Sequence, residues 1–373
     1  MTAAETGDAQ DGRQLIAMSG GVDSSVAAAL LVEAGHEVVG VTLNLAGDSS
    51  RCCSLDDVED ARRVAEDLGI RFFVANYTER FQSEVIEEFA ESYLQGRTPI
   101  PCVACNKRFK FDYLMERASV FGAEHVATGH YARITTHPET GKRELRRPRD
   151  TQKDQTYFLF QLDQDQLARI SFPLGELTKQ EVRERAEQLG LASAHKPESQ
   201  EICFVPDGDY ASVVERIRPE ARESRGTFVD TEGTVLGEHR GVHRFTVGQR
   251  HGLGLSADRK LYVLKIKAEN QEVVVGDASR LDSTSAWVES VNWIAGEIPT
   301  APVRARVQVR YRHAGVPATL TPFPGERVRM DFDEPVRAVA PGQAAVFYDL
   351  ESEEDARGQV TLGGGWLSSE KSS

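Results

Sequence analysis

The chain has 373 residues, 40% of them hydrophobic, with 44 Lys and Arg against 58 Asp and Glu and a formal net charge of −14. That length exceeds one ordinary core and implies two or three domains. No apolar run reaches the roughly eighteen residues of a membrane-spanning helix, and residues 2–14 are polar and acidic, without the basic-then-apolar pattern of an export signal, so a cytoplasmic protein is expected.

The first element is the apolar run Leu15-Ile16-Ala17-Met18, a predicted strand that leads directly into Ser19-Gly20-Gly21-Val22-Asp23-Ser24-Ser25 and then an Ala-rich helical segment. A strand, a glycine turn and a helix start make a phosphate cradle. The glycines let the backbone turn tightly, and hydroxyls add donors where helix N–H groups are unpaired. The pattern is neither a Walker A loop nor GxGxxG. Asp23 among phosphates is repulsive unless a cation neutralises it, so it is expected to contact Mg²⁺. A plain serine-capped turn is the alternative reading, and the three hydroxyls with an Asp weigh against it.

Further along, a strand is expected over 38–45, a helix over 54–68, a strand over 71–76, helices over 81–94 and 108–121, and a strand over 125–131. This alternation predicts an α/β domain with a doubly wound parallel sheet. Ligands of such sheets bind beyond the carboxyl ends of the strands, where Ser19–Ser25 and Thr128-Gly129-His130 would both lie. After about residue 210 the pattern changes to short β-like runs at 241–246, 261–266, 272–275, 287–293, 303–312, 327–332 and 344–348. The organisation predicted is a nucleotide-binding domain over 1–209, a small β-rich domain over 210–285 and a β-barrel over 286–373. Only the tails, 1–12 and 368–373, read as disordered.

Charge is unevenly spread. Residues 1–96 carry 6 basic against 18 acidic residues, whereas 97–153 carry 12 against 6. The basic run Lys142, Arg143, Arg146, Arg147, Arg149 and Lys153, with Arg304, Arg306, Arg310 and Arg312 alternating on a strand face, suits a phosphate backbone or a solvated surface equally. The five cysteines, at 52, 53, 102, 105 and 203, are odd in number and clustered, unlike a secreted disulfide framework. Cys102-Val103-Ala104-Cys105 follows Thr98-Pro99-Ile100-Pro101, and Asn106 is expected to open a basic helix. Thiols beside Lys107 and Arg108 should have lowered pKa values. This pair with the distant Cys203 fits either sulfur transfer or a three-thiolate iron–sulfur cluster. Cys52-Cys53 reads as packing. The histidines at 36, 125, 195, 239 and 313 show no ligand spacing, and Trp287, Trp293 and Trp366 read as packing.

Many separated segments together resemble the tRNA-specific 2-thiouridylases of the MnmA family, which are PP-loop ATP pyrophosphatases. They are Met18–Ser25, Gly96-Arg97-Thr98-Pro99, Cys105-Asn106, Ala127–Arg133, Lys153–Tyr157, Ile202-Cys203-Phe204, Gly248-Gln249-Arg250, Arg310-Tyr311-Arg312 and Pro341–Ala344. The resemblance implies a PP-loop domain, a small central domain and a C-terminal β-barrel. It also implies ATP-dependent sulfuration at C2 of the wobble uridine of tRNAs for Lys, Glu and Gln, with a cysteine desulfurase or sulfur-relay protein as sulfur donor. Ala17, Met18, Ser19, Gly20, Gly21, Val22, Asp23, Ser24, Leu43 and Gly129 would contact ATP. His130, Lys153, Asp154, Gln155, Arg310, Tyr311 and Gln343 would contact tRNA, and Ile100, Pro101 and Cys102 would lie against the target base. Cys105 matches the family's nucleophile and Cys203 its persulfide carrier.

The chain departs from the family's Asn-Pro-Asp-x-x-Cys, reading Ile100-Pro101-Cys102-Val103-Ala104-Cys105. Ile100 lacks an amide to hydrogen-bond a base. Cys102 replaces a carboxylate with a softer ligand, so a [4Fe-4S] cluster on Cys102, Cys105 and Cys203 stands beside the persulfide route. Another PP-loop synthetase would not need Cys105 and Cys203, and a non-catalytic RNA-binding protein would not need Asp23 in a phosphate loop.

Overall fold

The computed structural model describes residues 12–45, 55–191, 193–194, 196, 202–205 and 208–369. Cys52, Cys53, His195, residues 1–11 and residues 370–373 lie outside them, and so do the expectations for them. Among the described residues, no helix is long and apolar enough to cross a membrane.

The first part is a three-layer α/β unit. It runs β1 (Arg13–Ala17), α1 (Val22–Glu33), β2 (Glu37–Asn44), α2 (Leu55–Asp67), β3 (Arg71–Asn76), α3 (Thr78–Phe81), a π-helical stretch (Gln82–Ile86) and α4 (Glu87–Leu94). Then come α5 (Pro101–Ala104), a second π-helical stretch (Cys105–Tyr113), α6 (Leu114–Val120) and β4 (His125–Thr128). A hairpin of β5 (Arg133–Thr136) and β6 (Arg143–Arg146) precedes α7 (Gln164–Arg169), β7 (Ile170–Ser171), α8 (Lys179–Gln188) and α9 (Tyr210–Ile217). The sheet order is β3-β2-β1-β4-β7 with every pairing parallel, Ile16 lying between Gly40 and Ala127. Strand alternation sends Leu15, Val39, Val41 and Val126 into one apolar layer, with Phe81, Phe89 and Phe109, and Ile16, Val38 and Ala127 into the other, with α1 and α8. The chain winds outward from β1 to β3 and returns to β4 on the opposite side, so the switch point lies between β1 and β4.

The middle part is a four-stranded sheet in the order β10-β11-β8-β9: β8 (Gly226–Val229), β9 (Val235–His239), β10 (Tyr262–Lys267) and β11 (Glu272–Gly276). The run 241–246, expected as a strand, instead contains a 3₁₀ turn at Val242–Arg244. Val242 and Phe245 both enter the core. A spacing of three residues on one side suits a turn, whereas a strand would send them to opposite faces.

The last part is a six-stranded barrel of β12 (Asp282–Trp293), β13 (Val303–Gln308), β14 (Val316–Phe323), β15 (Arg327–Arg337), β16 (Ala344–Asp349) and β17 (Val360–Leu367). β12 pairs with β15 along its first half and β17 along its second, which closes the barrel. The β5–β6 hairpin adds to the same sheet through Val360↔Arg146 and Thr361↔Leu145. First and last parts also share a core of Val103, Tyr157, Phe160, Ala344, Val346 and Tyr348. Burying aromatic side chains such as these contributes roughly 1.5–3 kcal/mol apiece, so the barrel is fastened to the α/β unit.

Most of the basic run is paired, part of it across this junction. Lys142 pairs with Glu297 at 2.7 Å, and Arg146, 3% exposed, pairs with Glu144 and Asp355, both at 2.8 Å. Arg147 lies 3.3 Å from Asp154 and over the Tyr348 ring, and Arg149 pairs with Glu181. On the barrel, Arg304 pairs with Asp333 and Arg306 with Glu353. β13 ends at Gln308, so Arg310 and Arg312 sit in the following turn and not on the strand face expected for them. Sequence shows the charges, but most of their partners come from distant loops, a helix and a strand.

Candidate active site

The root of the phosphate loop is pinned to β2: Met18 N–H donates to Val41 O at 2.9 Å, and Thr42 Oγ1 donates to Met18 O at 2.6 Å. Gly20 has φ +71°, and a Cβ there would lie 2.2 Å from the carbonyl oxygen of Asp57 on α2. Only glycine fits. Gly21 caps α1 with extended backbone and no side chain, so the first-turn N–H groups keep no capping side-chain acceptor and face outward as anion donors. The serines divide their work differently from expectation. Ser24 and Ser25 are buried and donate to Gly21 O at 3.1 and 2.9 Å, shaping the loop, while Ser19 is exposed. Val22 and Leu43 are core side chains and can offer a ligand only backbone. At Gly129, after β4, a Cβ would come within 2.8 Å of Ser24 N, so β4 closes directly on the start of α1. Ala17–Ser24 and Gly129 thus meet at the switch point.

Asp23 is not arranged to hold a metal. Its two carboxylate oxygens accept from Lys179 Nζ at 2.7 and 2.9 Å, and Oδ1 also accepts from Tyr131 Oη at 2.8 Å. The neutralising cation expected as Mg²⁺ is here an ammonium.

The cysteine helix starts earlier than expected. Pro101, whose fixed φ suits a first helical position, opens α5, and helical backbone continues through the π stretch into α6. Cys102 and Cys105 are therefore one turn apart, and Cys105 begins the π stretch, a backbone form frequent at functional sites. The neighbouring basic groups have partners: Lys107 donates to Gln166 Oε1 at 2.9 Å and Arg108 to Glu88 at 2.8 Å. Cys105, Cys203 and Ala17, the last residue of β1, all pack against the same apolar cluster. Cys102 lies within electrostatic reach of Tyr311, whose pKa is raised chiefly by burial, with Arg312 and Lys153 opposing and Asp154 and, least, Cys102 reinforcing the shift. Among the described residues, no group of three or more His, Cys, Asp or Glu is placed to hold a metal ion, so the three thiols do not form the ligand set a [4Fe-4S] cluster needs.

Beside Cys102 the barrel meets the α/β unit. Thr98 N–H donates to Pro341 O at 2.8 Å, and Gln343 Nε2 donates to Thr98 O at 2.9 Å. Ile100 packs on the shared aromatic core. Tyr311, 38% exposed, stands 4.5 Å from Phe158, and Arg310 donates to Arg337 O. These residues form an aromatic and basic seam next to the first cysteine.

Comparison with known proteins decides the family. Residues 13–207 match a tRNA methyl transferase HUP domain, 213–277 a tRNA methyl transferase PRC-barrel domain and 283–367 an aminomethyltransferase β-barrel domain. The chain is similar to the tRNA-specific 2-thiouridylase MnmA of Solibacter usitatus, 51% identical over 371 residues covering 94% of this chain and 98% of that protein. The proteins of the same name from Acidobacterium capsulatum (49%, covering 94% and 98%) and Geobacter metallireducens (48%, covering 95% and 96%) are similar over the same extent. The chain belongs to the tRNA-specific 2-thiouridylase family.

Within this 2-thiouridylase, two expected tRNA contacts are turned inward. His130 is 7% exposed, bonds Thr128 Oγ1 through Nδ1 at 2.7 Å and packs against Phe111 and Phe172; burial, with Lys110 nearby, holds its pKa well below the usual imidazole value. Asp154 accepts from Thr156 N–H and Oγ1 and faces Arg147, its pKa raised by burial. Gln155 Oε1 accepts from Tyr131 N–H at 2.8 Å, supporting the residue that bonds Asp23. Lys153, Arg310, Tyr311 and Gln343 remain at or near the surface.

Sequence reasoning missed Lys179 and Lys196. Thr178-Lys179-Gln180-Glu181 has the form of a capping box, and both of its reciprocal bonds are present, so its helix start was readable. Its reach to Asp23, 156 positions away, was not. Lys196 bonds Asp57 and Asp60 at 2.5 and 2.8 Å, on the helix that covers Gly20.

Proposed function

We propose that this chain, an enzyme of the 2-thiouridylase family, uses ATP to adenylate the C2 oxygen of the wobble uridine in tRNAs for Lys, Glu and Gln and replaces that oxygen with sulfur carried on Cys203. The observation that carries the reading is the single apolar cluster against which the root of the phosphate loop, Cys105 and Cys203 all pack. One rigid block can then position both the activating and the sulfur-donating chemistry.

The uridine oxygen attacks the α-phosphorus, and pyrophosphate departs while the α1 N–H groups stabilise its charge. Terminal sulfur of a Cys203 persulfide then attacks C2, and AMP leaves with the former uridine oxygen. Cys105 then attacks the Cys203 sulfur of the resulting uridine-bound disulfide, the bond between that sulfur and the C2-bound sulfur breaks, and 2-thiouridine departs, leaving a Cys105–Cys203 disulfide for a thiol reductant to reopen. The target base must leave the anticodon stack to reach these groups, with Tyr311 and Phe158 offering a stacking surface at the seam. A cysteine desulfurase or sulfur-relay protein would load Cys203 in the cytoplasm.

The test is pyrophosphate release from ATP with unmodified tRNA-Glu against the same tRNA carrying cytidine at the wobble position. Release with the first alone supports the reading. Release that is equal with both, or with neither, contradicts it.

A further inference from the structure

We propose that Lys179 is the cation that meets the β- and γ-phosphates of ATP and the departing pyrophosphate, and that Asp23 and Tyr131 hold it ready. This rests on the reading that ATP is split between its α- and β-phosphates at the Ser19–Ser25 loop.

A lysine only 8% exposed is unusual and demands partners. Lys179 has them in Asp23, at 2.7 and 2.9 Å, and lies 6.0 Å from the Tyr131 ring centroid. Asp23 is the second residue of α1, on the turn whose N–H groups form the anion site, so its partner's ammonium is held at the edge of that site. Lys179 is itself the first residue of α8, and its N–H donates to Asp150 Oδ2 at 2.9 Å. The starts of two helices therefore converge there, both favouring negative charge. Tyr131 Oη donates to Asp23 Oδ1, and its chain segment is fixed by Gln155, so the carboxylate cannot swing away from the lysine.

The pair is neutral overall and Asp23 keeps about a third of its side chain exposed (34%), which leaves the ammonium one short rotation from an entering polyphosphate. As the bond between the α-phosphorus and its bridging oxygen breaks, charge builds on the leaving pyrophosphate. A cation already desolvated and aimed stabilises that charge with little reorganisation. No covalent bond to Lys179 forms or breaks. Its expected effect is on groups that ATP has and AMP lacks.

That difference supplies the test. ATP and AMP are titrated calorimetrically against wild type and Lys179→Gln, and pyrophosphate release with tRNA is followed over a range of ATP. K179Q is expected to weaken ATP at least tenfold and AMP less than twofold, and to lower kcat more than a hundredfold. Equal weakening of ATP and AMP, or no change in either, would overturn the proposal, since a lysine that merely braces the fold cannot tell the two nucleotides apart. Asp23→Asn gives an independent arm with inorganic pyrophosphate as the probe. Releasing the lysine from its carboxylate is expected to tighten pyrophosphate several-fold, and weaker pyrophosphate binding would assign Asp23 a direct role and overturn the holding role. If wild type itself neither binds ATP nor releases pyrophosphate, the functional reading fails, which is a separate result.

Discussion

Replacing Gly20 with alanine tests how tightly α2 covers the phosphate loop. Two costs apply. The residue sits at φ +71°, where a Cβ costs roughly 1–2 kcal/mol, and the new Cβ would lie 2.2 Å from Asp57 O. Backbone cannot rotate aside as a side chain does, so α2 must shift, at about 1–3 kcal/mol for an overpacked contact. Gly35 is the control. It has φ +84° with nothing within 4 Å of its Cβ position, so Gly35→Ala carries the backbone cost alone. For an α/β unit of this size each kcal/mol lowers Tm by about 2–4 °C. Gly35→Ala should therefore lower Tm by a few degrees with ATP affinity unchanged, and Gly20→Ala should lower it about twice as far and weaken ATP at least tenfold. Scanning calorimetry and nucleotide titration read both. Equal Tm shifts with equal ATP affinity would refute the contact between α2 and the loop.

Arg146→Ala should cost about 1.5–3 kcal/mol, because Glu144 loses its guanidinium partner while Asp355 keeps Arg357 at 2.8 Å; thermal melts should show the barrel separating from the α/β unit, and a loss under about 0.5 kcal/mol would contradict that. Tyr311→Ala should weaken tRNA binding by about 1–3 kcal/mol, the worth of one stacked base, and leave ATP affinity alone; a filter-binding assay with unchanged tRNA affinity would remove Tyr311 from the interface. His130, His239 and His243 all have pKa values lowered, chiefly by burial, with Glu215 opposing and Arg244 reinforcing the shift at His243. The unfolded chain therefore binds more protons, so their contribution to stability is complete above about pH 6.5 and lost as pH falls below it. Tm should drop between pH 7.5 and 5.5, and a rise over that interval would contradict the assignment.

Much of this site is legible in the sequence where the chemistry is local. The strand, loop and helix at 13–33 are contiguous, so apolar run, glycines and Ala-rich periodicity specify them together. Cys102 and Cys105 are likewise adjacent, although the helix begins at Pro101 and not at Asn106, because proline fits a first helical position better than it breaks this one. Long-range pairings leave no such trace. Nothing near Lys179 announces Asp23, and nothing in the run 142–149 says that its charges meet Glu297, Asp355 and Glu181. His130 shows the same limit from the other direction. It looked like a surface contact, and only the packing of Phe111 and Phe172 makes it a buried one.

We propose that conversion of uridine to 2-thiouridine by this chain runs through Cys105 and Cys203. It is tested most directly by incubating wild type, Cys105→Ala and Cys203→Ala with ATP, Mg²⁺, a sulfur source and unmodified tRNA-Glu, then resolving the tRNA on a gel that retards thiolated species. Retarded tRNA is expected with wild type and none with either variant. Retarded tRNA from Cys203→Ala, or unshifted tRNA from a wild type that still releases pyrophosphate, would contradict it.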